Sequence, residues 1–252
     1  MRRLMVVALA VASATELMAV QGTLSTNSDS VTGDIKWRAR DKKYVITKGN
    51  INIERNFADV TSLDIPKPAE LDKAISQVEG GQGASAIATL SKICADYRML
   101  KWDKFACRYL ALAYLSANNA QKAYDECTKI INDDKTAAYV GEVAPAYWKS
   151  LLQLGKREKL DELLKKASTS GDRRASASAL TMRGDILVAG ANGAADKLMA
   201  ALRDGYLRVA LMYNDAECVA ERREALLKAA DCFDQLGQAV RAEKLRAEAK
   251  SI

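Results

Sequence analysis

The 252-residue chain contains no histidine. That absence excludes Ser-His-Asp and Cys-His catalysis and every histidine-ligated metal site. Only three prolines and three phenylalanines are present. Scarce proline in a chain rich in Ala, Leu and Lys favours helix. The five cysteines, Cys94, Cys107, Cys127, Cys218 and Cys232, include no CxxC pair. No zinc site is therefore expected. Cys94, Cys107, Cys127 and Cys232 sit inside apolar helical patterns and read as small buried hydrophobes. One or two disulfides are compatible with an oxidising compartment. No GK[ST] or GxGxxG motif follows Gly80-Gly81-Gln82-Gly83, so a phosphate loop is not indicated. No cofactor is expected. The 38 Lys+Arg against 32 Asp+Glu give a charge of +6. Basic and acidic residues alternate along the chain, which is not the footprint of a nucleic-acid partner.

The N-terminus reads as an export signal. Met1-Arg2-Arg3 is basic, Leu4 to Ala14 carries no charge, and Ala12-Ser13-Ala14 or Leu17-Met18-Ala19 supplies a small-residue cleavage site. Glu16 interrupts the apolar stretch, which is shorter than the roughly 20 residues of a membrane span. No cysteine lies near either cleavage site, which argues against a lipoprotein anchor. The expectation is a signal peptide over residues 1–19 and a periplasmic or secreted protein of a Gram-negative-type envelope, with no stable membrane span.

Downstream, the hydrophobic period changes once. Residues 20–30 are mostly polar and read as a flexible leader. Between 31 and 66 the period is two: Asp34 to Arg40, Tyr44 to Thr47, Ile51 to Glu54 and Val60 to Ile65 read as four short strands. Turns at Asp41-Lys42-Lys43 and Lys48-Gly49-Asn50 predict an antiparallel meander, ended by Pro66-Lys67-Pro68. From Ala69 to the end the period is 3.6. Ten helices are predicted near 69–79, 83–97, 102–117, 120–132, 141–154, 157–168, 173–189, 193–211, 217–236 and 239–250. Short links such as Gly80-Gly81-Gln82, Asn118-Asn119 and Gly155-Lys156 make antiparallel hairpins of them.

A pattern recurs within these hairpins. Leu110-Ala111-x-x-Tyr114 precedes an Asn118-Asn119 turn and Ala123. Tyr147-Trp148-x-x-Leu151 precedes Leu154-Gly155, then Leu160, Leu164 and Ala167. Ala229-Ala230-x-x-Phe233 precedes Leu236-Gly237 and Ala242. Arg183-Gly184-x-x-Leu187 is a looser copy, and Gly83, Ala86, Leu90, Ile93 and Tyr97 form an earlier one. Small residues fall where helices must cross closely and large ones where they fill space. In this the chain resembles the tetratricopeptide repeat family over roughly residues 69–250, with about five hairpins. The resemblance implies a mainly α fold, a solenoid of helical hairpins after a small antiparallel β-sheet. It also implies a concave groove, lined by the first helix of each pair, that binds a protein or peptide segment and does no chemistry. Carried residue by residue, that groove would present Arg108, Leu112 and Leu115, then Lys149, Leu152 and Gln153. Thr181, Asp185 and Val188 would follow, then Leu227, Asp231 and Asp234. Leu112 stands where a carboxylate-clamping member has Asn, so that clamp is not implied.

Other constellations point to no chemistry. Asp133-Asp134 reads as a solvated turn between helices. Asp161 and Glu162 point about 100° apart on a helix and suit pairing with Lys165 and Lys166. Two alternatives to a docking scaffold remain. One is an enzyme or enzyme subunit using carboxylates such as Asp185 and Asp231. The other is a structural envelope component that self-associates through the sheet edge.

Overall fold

The computed structural model describes residues 19–252. The export signal read over residues 1–19 lies, except for Ala19, outside the described residues. The chain divides into two compact units at Ile65 and Pro66.

The first unit is a five-stranded antiparallel sheet of β1 (Val20–Thr26), β2 (Ser30–Arg38), β3 (Lys43–Lys48), β4 (Ile51–Asn56) and β5 (Val60–Asp64). Its spatial order is β4-β3-β2-β1-β5. The supposed leader over 20–30 is therefore corrected. Val20–Thr26 is an inner strand, paired with β2 on one side and β5 on the other. Its polar residues are no obstacle, because alternation puts Gly22 and Leu24 on the buried side while Thr23 and Ser25 bond laterally. Thr23 and Thr32 join hydroxyls at 2.8 Å. Register brings Ile35 opposite Ile46 and Trp37 opposite Tyr44, so one face collects the large apolar residues. Trp37, Tyr44 and Phe57 cluster there, with the Trp37 and Tyr44 ring centroids 5.0 Å apart.

The second unit is helical: α1 (Leu71–Glu79), α2 (Gly83–Asp96), α3 (Trp102–Ser116), α4 (Ala120–Asp133), α5 (Val143–Gln153), α6 (Arg157–Ser168), α7 (Arg173–Ala189), α8 (Ala195–Ala201), α9 (Leu207–Met212), α10 (Val219–Gln235) and α11 (Ala239–Ser251). A π-helical segment, Leu202–Tyr206, joins α8 to α9 without a break in helical backbone. The two behave as one rod, so the unit has ten rods in five antiparallel hairpins. The helix predicted over 193–211 is thus correct in extent and wrong in being regular. Each first helix touches the next: α1 meets α3, α3 meets α5, α5 meets α7 and α7 meets α10.

Two glycines set the crossing inside the fourth hairpin. Gly184 on α7 lies against Tyr206, and a Cβ there would come within 2.5 Å of the ring. Gly205, inside the π segment, faces the Gly184 backbone so closely that its own Cβ would sit 2.8 Å from Gly184 Cα. The extra residue of the π turn aims Gly205 at this crossing, and no side chain larger than hydrogen fits between. Positive-φ residues close the hairpins, with Gly155 at 69° and Gly237 at 71°. Trp148 is fully buried in the central core. All five cysteines are free thiols, four of them buried. Asp133 and Asp134 do not form the solvated turn expected from their sequence. Both are buried and paired, Asp133 with Arg98 at 2.7 Å and Asp134 with Lys104 at 2.7 Å. Asp134 also caps the following 3-10 turn. On α6 the pair Glu162–Lys166 closes at 2.6 Å, while no ion pair joins Asp161 to Lys165 among the described residues.

Candidate functional site

The first helices are amphipathic on two sides. Their small and aromatic residues face the core, which leaves one polar stripe on each helix. Where α3, α5, α7 and α10 run side by side, those stripes meet around a cavity of about 100 Å³. Arg108 and Leu112 reach it from α3, Pro145 and Lys149 from α5, Ser178 from α7 and Glu224 from α10. A smaller adjoining hollow of about 20 Å³ carries Thr181, Asp185 and Lys228.

Alternating charges tie the four helices together. Arg108 donates to Glu142 at 2.6 Å, and Glu142 is also 3.5 Å from Arg174. Arg174 Nε donates to Glu221 Oε1 at 2.9 Å. A second line runs beside it. Glu224 lies 3.4 Å from Lys149 and 3.1 Å from Lys228. Lys228 donates to Asp185 at 2.6 Å, and Tyr206 Oη donates to the same carboxylate at 2.8 Å. Except for Glu224–Lys228, which are successive turns of α10, these partners lie 21 to 75 residues apart in sequence. Burial by itself would raise the Glu224 carboxyl, but Lys149 and Lys228 together outweigh it and hold the group down at about 2. Burial and the neighbouring Asp185 charge raise the Tyr206 phenol, so it stays a donor.

Two buried polar atoms here have no partner: Glu221 Oε2 and Thr181 Oγ1. A buried carboxylate oxygen without a donor is costly. Glu221 also lines the larger cavity.

The groove positions read from sequence are partly brought together. Arg108, Leu112 and Lys149 line the larger cavity, and Thr181 and Asp185 the smaller one. Leu115 is buried in the central core beside Ala123 and Cys127 and presents no surface. Leu152 is half-buried against the same core, and Gln153 is exposed at the end of α5. Val188 packs in the last core cluster. Asp231 and Asp234 both pair with Arg246 of α11, at 2.8 and 2.6 Å, and Leu227 is exposed. On α10 the groove stripe is Glu221, Glu224 and Lys228; the last two stand three residues before the expected Leu227 and Asp231. The spacing 221, 224, 228 is itself a helical stripe, a signal present in the sequence. Glu142 and Arg174 sit at helix starts, and nothing in their local sequence marks them.

Hairpins stacked so that their first helices form a continuous wall and share one charged groove make a solenoid of helical hairpins, the architecture that the resemblance to tetratricopeptide repeats implies. No family model matches the chain and no curated protein does. Among solved structures it is similar to a Podosopora anserina protein described as a kinesin light chain with nearly identical TPR-like repeats. The identity is 16%, with 73% of this chain and 92% of that one covered at a TM-score of 0.40. It is also similar to MamA of AMB-1, at 16% identity, 73% and 96% coverage and a TM-score of 0.38. MamA of MSR-1 follows at 18% identity, 71% and 92% coverage and a TM-score of 0.36. The repeat architecture stands on this chain's own packing.

Proposed function

We propose that the chain is an exported protein-protein interaction scaffold. It receives a protein or peptide segment in the groove of α3, α5, α7 and α10, in the assembly of a bacterial cell envelope. The observation that carries this is the shared cavity, which no single hairpin builds alone. Export is supported by Arg2-Arg3, the uncharged run from Leu4 to Ala14 and the small residues after it. Among the described residues no helix is long and apolar enough to cross a membrane. The carboxylates of the enzyme alternative fit a structural role better. Asp185 is neutralised by Lys228 and Asp231 by Arg246, and they share no partner.

The test is affinity capture with the mature chain after crosslinking in envelope extracts. The variant Ser178→Trp fills the cavity from its half-buried wall without changing its charge. It is expected to keep the parent's far-ultraviolet circular dichroism and lose at least about 10-fold of the captured partner, because an indole blocks the cavity whatever charge the guest carries. Equal capture by parent and a folded variant would remove the groove from the account.

A further inference from the structure

Given the docking reading above, on which this inference rests, the groove also specifies what its guest must carry. We infer that the larger cavity is a receptor for one cationic side chain, a lysine or arginine of the docked segment. Three observations converge on it. The first is the missing donor: Glu221 is only 9% exposed, its Oε1 is taken by Arg174, and its Oε2 is buried with no partner. The second is the charge balance. Arg108, Lys149 and Arg174 face Glu142, Asp172, Glu221 and Glu224 around the cavity. Adding Lys228 and Asp185 from the adjoining hollow still leaves four cations against five carboxylates. The third is the wall. Leu112, Tyr139 and Pro145 give the cavity an apolar side, which suits the methylene stem of a long basic side chain while its head meets the carboxylates. An anionic guest would have to displace resident pairs, since Arg108 and Arg174 already serve Glu142 and Glu221. A cation leaves those pairs in place and offers Glu221 the donor that its second oxygen lacks.

The experiment starts with selection of 12-residue peptides from a random phage-displayed library on the immobilised full chain. Affinities of synthetic peptides follow, for the parent and for Glu221→Gln. Glu221→Gln is isosteric and keeps an oxygen for Arg174, and its fold is checked by thermal melting. Selected peptides are expected to share a lysine or arginine. Replacing that residue by norleucine is expected to weaken binding about 10-fold or more. Glu221→Gln is expected to weaken the parent peptide similarly and to leave the norleucine peptide unchanged. A second variant, Ser178→Lys, places an ammonium in the cavity from within and is expected to compete against the basic peptide only. Peptides that bind in competition with one another, lose affinity to Ser178→Trp, and yet need no basic residue or show no coupling to Glu221 would overturn the cation receptor while keeping the docking groove. Failure to enrich any peptide above a bare-surface control would overturn both.

Discussion

Trp148→Ala is expected to cost the helical unit about 3–5 kcal/mol, the range for removing a fully buried large aromatic residue. The indole is entirely enclosed. It belongs to the central core that gathers residues from α3 through α7, including Cys107, Leu151, Leu164 and Met182. Its Nε1 donates to the Ala138 carbonyl at 2.9 Å, anchoring the 3-10 turn that leads into α5. The variant loses the packing and leaves that carbonyl without its donor. Trp148→Phe separates the two effects, since it keeps most of the apolar volume and drops the hydrogen bond. Urea unfolding followed by circular dichroism reads both. A loss below about 1 kcal/mol for the alanine variant would contradict the packing described. The effect should reach function as well, because Lys149 is placed in the groove by the same turn of α5 that buries Trp148.

A second large effect concerns pH. Asp103, in the first turn of α3, is fully buried. Its Oδ2 accepts from the Met99 N–H at 2.7 Å, holding a loop in which Met99 and Lys101 both have positive φ. Its Oδ1 has no partner. Burial drives the carboxyl up from 3.8 to about 7, against the smaller pull of the Met99 N–H and of Lys104. The folded chain therefore keeps a proton that the unfolded chain releases near pH 4. Stability from this group is full below that point, falls as pH rises from about 4 to 7, and is gone above 7. A carboxyl moved that far is worth roughly 4 kcal/mol. Asp103→Asn keeps an acceptor for Met99 and has nothing to titrate. Its stability relative to the parent is expected to improve by up to about 4 kcal/mol between pH 4 and pH 8. Parallel stability curves for the two proteins across that range would refute the assignment.

Most helices are legible in the sequence through local chemistry. The spans 157–168 and 173–189 coincide with α6 and α7, and others differ by one or two residues, because 3.6-residue periodicity and glycine turns are local signals. The Gly184 crossing is also readable, since a small residue at a repeat position has a steric reason to be there. Strand β1 escapes a sequence reading because Gln21-Gly22-Thr23 is polar; its inner place depends on β5, which is distant in sequence, as well as on the adjacent β2. The π turn at Leu202–Tyr206 is hidden because its residues carry an ordinary helical pattern, and only the Gly184–Gly205 approach demands it. Site residues divide unevenly for the same reason. Arg108 and Lys149 follow from repeat position alone. Glu142, Arg174 and Glu221 matter through partners on other hairpins, which no window of sequence contains. On α10 the repeat register, carried past an irregular rod, falls three residues late.

On the proposed function, a partner docks on the shared wall of first helices and not on the outer helices. Photocrosslinking tests it most directly, with benzoylphenylalanine placed at Leu112 in the groove or at Arg157, exposed on α6. Irradiation in cells is expected to give a discrete adduct from position 112 that the Glu221→Gln variant diminishes, and none from position 157. Adducts from 157 with none from 112 would contradict the account.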